Sequence, residues 1–195
     1  MSNIKKKTKE QIYNDCWMYI LLLTTLVILL QSLKSYTFSF LGVNLTYAIL
    51  FLPLVYFLIN YITKKYDYKK AVAAIAISGV VSVCFVVIID FALGRQITLS
   101  NLSGEFCGYV ISQLINLTIY NFLLNNTKSP TILIFLTYLF SLIVYYMFYT
   151  LIYLNMIILD NFWTSYLITV GIQFILCFPL SVVDKRILRG QEKEI

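Results

Sequence analysis

Three sets of hydrogen-bonding side chains stand out in this sequence, because each falls on one face of a helix. Tyr56, Asn60 and Thr63 recur at i, i+4 and i+7. Gln113, Asn116 and Tyr120 recur at i, i+3 and i+7, with Ser112 beside them. Tyr138, Tyr145 and Tyr149 follow at i, i+7 and i+11, flanked by Tyr146 and Tyr153. Asn and Gln each carry a donor and an acceptor, which suits the edge of a flat, purine-like heterocycle. Phenol rings stack on planar ligands and orient them through their hydroxyls. The chemistry on offer is therefore non-covalent recognition of a small polar solute, with Tyr56, Asn60, Gln113, Asn116, Tyr120 and Tyr149 as the candidate lining. The competing reading is structural. Such amides also tie helices together at about 0.6 kcal/mol per contact, and tyrosine stripes also serve as packing and interfacial belts.

Covalent chemistry finds little material. The chain has no histidine, which removes Ser-His and Cys-His nucleophiles and histidine general bases. Cys16, Cys84, Cys107 and Cys177 are scattered singly through apolar sequence and read as small hydrophobes rather than zinc ligands or disulfide partners. Among nine acidic residues, Asp90 comes nearest to lying inside an apolar run, close to Arg95, which suggests an ion pair or surface exposure. No catalytic residue, metal site or cofactor is expected, and the chain is not expected to be an enzyme. It also lacks the GxxxxGK[ST] loop of nucleotide hydrolysis.

The elements that must position these side chains follow from composition. Of 195 residues, 60% are hydrophobic and 12% charged, with a mean hydropathy of +0.82. A soluble domain carries about 25% charged residues, so the solvent of this chain is lipid. Its apolar runs are continuous rather than alternating, which selects helices over a barrel. Six runs reach spanning length: 17–33, 41–62, 71–93, 106–124, 131–159 and 166–183. The fifth is long enough to require tilt, and Pro179 is placed to kink the sixth. The expectation is an all-α integral membrane protein, residues 1–195 forming a single six-helix domain in a lipid bilayer. The basic first segment is not followed by a small-residue cleavage site at Gln31-Ser32-Leu33-Lys34-Ser35, so it reads as a retained span.

Basic residues orient the bundle. Both tails, the second loop (Lys64, Lys65, Lys69, Lys70) and the fourth loop (Lys128) hold 13 of the lysines and arginines; Lys34 and Arg95 are the 2 on the opposite side. Both termini are therefore expected in the cytoplasm. The net charge of +6 reads as a topology signal rather than a nucleic-acid patch.

Two of the polar stripes lie in segments that resemble a known family. The stretch Pro53-Leu54-Val55-Tyr56, continuing through Asn60, Thr63 and Tyr66-Asp67-Tyr68-Lys69-Lys70-Ala71, resembles a signature of the VUT family, the vitamin-uptake-like, queuosine-precursor transporters of bacteria. Ser112-Gln113-Leu114-Ile115-Asn116 with Tyr120 is similar to that family's S-Q-x-x-D-x-x-x-F segment. The resemblance covers the second to fourth spans. It departs at Asn60 and Asn116, where the family carries aspartate, at Lys64, where it carries glutamate, and at Asp67, where it carries glycine. The usual polar pattern of the fifth helix is missing, since Ser141 is followed by Leu142.

The resemblance implies a multi-pass importer of the bacterial cytoplasmic membrane. Its fold would be similar to the substrate-binding subunits of energy-coupling-factor systems, and its substrate a small planar molecule such as a 7-deazapurine precursor of queuosine. A partner ATPase module is a further implication. Exchange of carboxylates for amides would remove charge-assisted contacts while keeping hydrogen bonds. The alternative function is a non-transporting membrane scaffold of the same fold.

Overall fold

Long unbroken runs of Leu, Ile, Val and Phe with Gly and Pro kept to a few places give helices that lipid can solvate on one side. A computed structural model of the chain describes residues 9–33, 36–92, 94, 99–124, 131–153 and 162–192. Six helices run through it: α1 Lys9–Leu33, α2 Ala48–Lys65, α3 Tyr68–Ala92, α4 Leu99–Leu124, α5 Thr131–Tyr153 and α6 Phe162–Glu192. Five contain stretches long and apolar enough to cross a membrane, and α5 adds the shorter apolar helix Thr131–Met147. The chain thus has the all-α architecture of a multi-pass membrane protein.

Two boundaries depart from the expected spans. Residues 41–46, expected at the head of the second span, belong to an antiparallel hairpin, β1 Thr37–Phe40 with β2 Val43–Thr46. β-branched and aromatic residues flank a two-residue turn at Leu41 and Gly42, both with positive φ (52° and 78°), the combination that matches strand twist in tight hairpins. Tyr47 N–H donates to Tyr36 O at 3.1 Å and extends the ladder by one bond. At the other end, α6 continues past residue 183 to Glu192 rather than stopping at the first charged residues. Residues 154–159 of the expected fifth span, and Arg95, lie outside the described residues.

Each helix separates a lipid face from an inner face. On α1, Cys16, Ile20, Leu23, Val27 and Leu30 are buried at three- and four-residue spacing, while Met18, Leu21 and Leu22 are exposed. α3 approaches its neighbours through small residues, and a Cβ built on Gly79 would lie 3.0 Å from Phe106 Cε2. α2 is the central helix, in contact with α1, α3, α4 and α6. Pro53 sits inside it and has no N–H to give to the carbonyl one turn back, that of Ile49. Gln173 of α6 supplies the missing donor, its Nε2 bonding Ile49 O.

A candidate polar site in the bundle core

The candidate side chains arise where α2, α4, α5 and α6 meet. Tyr56, Asn60, Gln113, Asn116 and Tyr120 are all buried, none more than 1% exposed. The four-residue steps from Tyr56 to Asn60 and from Ser112 to Asn116 keep α2 and α4 in register. The Tyr56 hydroxyl lies beside Ser112 and donates to Ser141 O on α5 at 3.2 Å. One turn along, Asn116 Nδ2 donates to Asn60 Oδ1 at 2.8 Å. The Tyr56 and Tyr138 rings meet edge to face with centroids 6.5 Å apart. Thr63 stays on the same helix face but spends its hydroxyl on Ile59 O of its own helix. Tyr149 lies on α5 with its side chain outside the described residues, whereas Tyr138 and Tyr145 of the same stripe are buried.

Gln113 differs from the rest. It is wholly buried, yet neither Nε2 nor Oε1 has a hydrogen-bond partner among the described residues. Asn116 Oδ1 and Gln173 Oε1 are likewise buried acceptors with no partner there. A buried amide with no partner costs about 1–3 kcal/mol, so such a group marks either a weak point or a recognition point. The open valences of these buried amides are the Nδ2 and Nε2 donors of Asn60 and Gln113 and the oxygens of Gln113, Asn116 and Gln173, the two functions that a flat polar solute presents along one edge.

Sequence reasoning missed the one carboxylate that is buried among the described residues. Asp184 of α6 is 2% exposed, and two phenols reach it: Tyr120 OH donates to Oδ1 at 2.7 Å and Tyr138 OH to Oδ2 at 2.9 Å. The side chains of Asn60 and Lys64 also face it. Lys64, expected in a loop as a topology lysine, instead lies in the last turn of α2 with its ammonium enclosed. A carboxylate and a lysine thus sit together inside the bundle, drawn from α6 and α2 and clasped by α4 and α5. The signal was present: Gln173, Cys177, Ser181 and Asp184 fall at i, i+4, i+8 and i+11, a polar stripe on the inner face of α6. Drawing the span's end at residue 183 hid it. Lys65, next to Lys64, turns the other way, its Nζ 4.5 Å from the Tyr19 ring centroid and 5.4 Å from those of Tyr61 and Tyr66.

Among the described residues no group of three or more His, Cys, Asp or Glu side chains is placed to hold a metal ion. No protein-family model matches the chain, and no curated protein or solved structure matches it either.

Proposed function

We propose that this protein is a six-span importer of a small, flat, polar molecule, a 7-deazapurine precursor of queuosine or a related vitamin-like compound. In this reading the chain lies in the bacterial cytoplasmic membrane with both termini inside. Tyr56, Asn60, Gln113 and Asn116 bind the solute, and an energy-coupling ATPase module is its candidate partner. One observation carries the reading: a complete amide, that of Gln113, is held in the bundle core without a hydrogen-bond partner among the described residues. The resemblance to queuosine-precursor transporters supports it through the stretch from Pro53 to Ala71. Asp67 stands where that family carries glycine, and its φ of 154° lies in the region that glycine favours.

The second reading, a non-transporting scaffold, has its own observation. Asn60 and Asn116 spend a hydrogen bond on each other, as helix-tying amides do. A thermal-shift screen of the detergent-purified protein against nucleobases, 7-deazapurines and vitamins separates the two. Binding stabilises in proportion to RT ln(1 + [L]/Kd). The importer reading expects one compound class to raise the melting temperature of the native chain and not of Gln113→Leu. Identical responses of both proteins to every compound would leave the scaffold.

A further inference from the structure

Four lysines fall within seven residues where α2 hands over to α3: Lys64, Lys65, Lys69 and Lys70. Lys64 faces Asp184, whereas Lys65 and Lys70 are half-buried and Lys69 is exposed at the end of the bundle. Like charges so close would be expected to splay apart into water. Lys65 and Lys70 converge instead. The Lys65 ammonium stands over the Tyr19, Tyr61 and Tyr66 rings, and that of Lys70 lies 5.7 Å from the centroid of the same Tyr66 ring. Lys65 Nζ also donates to the Tyr19 hydroxyl at 3.1 Å, so a side chain that is usually mobile is fixed in place. Tyr19 and Tyr61 share one hydrogen bond between their hydroxyls at 3.4 Å, which leaves one of the two O–H protons unused by that bond. Two carboxylates lie near. Asp67 spends Oδ1 on the Lys69 N–H at 2.6 Å, and Asp15 of α1 acts electrostatically on Tyr19 and Tyr66. The corner as a whole presents fixed cations and a phenol donor, the partners that an anion with several oxygens requires.

Depth in the bilayer decides which anion meets it. α2 has 18 residues, about 27 Å at about 1.5 Å each, close to the hydrocarbon thickness of about 30 Å. Its last turn and the first turn of α3, which begins at Tyr68, therefore emerge at the level of the lipid phosphates. Tyrosine rings and long lysine stems suit that layer, and the N-terminal N–H groups of α3 add partial positive charge. We propose that the α2–α3 turn binds the phosphodiester of an anionic phospholipid of the surrounding bilayer. Lys65 and Lys70 are its cations, the Tyr19–Tyr61 pair its hydroxyl donor, and Lys69 lies at its rim. The site is separate from the amides of the bundle core, and it serves an importer and a scaffold alike.

The test titrates the full chain, purified in an uncharged detergent, with dioctanoyl-phosphatidylglycerol and follows binding by microscale thermophoresis. Dioctanoyl-phosphatidylcholine serves as the lipid without net charge, and inorganic phosphate as the same chemistry without a lipid. Phosphatidylglycerol is expected to bind saturably and more tightly than either. Lys65→Gln combined with Lys70→Gln is expected to weaken it about thirtyfold, the factor that two lysines near an anionic surface carry. Lys70→Gln alone leaves the tyrosine cage filled and is expected to cost about fivefold, which keeps the test decisive should the double variant fail to fold. Lys185→Gln combined with Arg186→Gln removes the same amount of charge from α6, and screening is expected to hold its effect within about threefold. Equal losses in the two double variants would reduce the turn to bulk charge and overturn the proposal. So would phosphatidylcholine or inorganic phosphate binding as tightly as phosphatidylglycerol, or a Lys70→Gln chain that binds it unchanged.

Discussion

Two parts of the same polar core are built on opposite terms. Around Asp184 each carboxylate oxygen has a hydrogen-bond donor, and a lysine stands opposite the charge. Around Gln113, one turn from Asn116, a whole amide is enclosed without a partner among the described residues. Both regions draw on α4, and both are sealed from solvent. The difference teaches that polarity inside a membrane bundle can serve two ends. Where polar groups satisfy one another they hold helices. Where they are left open, stability is given up.

The sharpest way to break this comparison is to remove one member of the charged cluster. Asp184→Ala removes the shared acceptor of the buried Tyr120 and Tyr138 hydroxyls and a negative charge within electrostatic reach of the Lys64 ammonium. Unfolding in mixed micelles is expected to show a loss of about 3–5 kcal/mol, with much of it recovered in the double variant Lys64→Met with Asp184→Leu. Gln173→Leu comes next, because it bares the Ile49 carbonyl that Pro53 leaves open, at about 1–3 kcal/mol in the same measurement. Asn116→Leu should cost about 1 kcal/mol by stripping Asn60 of its bond. Gln113→Leu is the telling case, because its sign should be reversed. Replacing an unpartnered amide by an apolar side chain of similar size is expected to leave stability unchanged or raise it by about 1 kcal/mol, while the thermal response to ligands disappears. A loss of stability at Gln113 as large as that at Gln173 would merge the two regions and remove the contrast.

Much of this core could be read from spacing alone. The stripes on α2 and α4 have helical periods, and polar groups in a chain this apolar turn inward, so their meeting follows from hydropathy and geometry together. The hairpin was obscured because Leu41, Val43 and Leu45 extend the apolar run of α2, and hydropathy does not separate a short apolar strand from the head of a helix. Asp184 was obscured for a related reason. A hydropathy boundary stops at the first charge, but a helix stops only where its backbone bonds end. Asp184 could stay inside because its partners come from α2, α4 and α5, far apart in sequence, which no local pattern contains. The open amide of Gln113 is also invisible beforehand, since satisfaction depends on neighbours that only packing supplies.

The proline in α2 has a mechanical consequence. Its missing amide hands one carbonyl of α2 over to a side chain of α6, so these two helices share a bond that either would lose by sliding alone. In hydrocarbon there is no water to replace it. Sliding of α6 along α2 would therefore leave the Ile49 carbonyl bare inside the bundle.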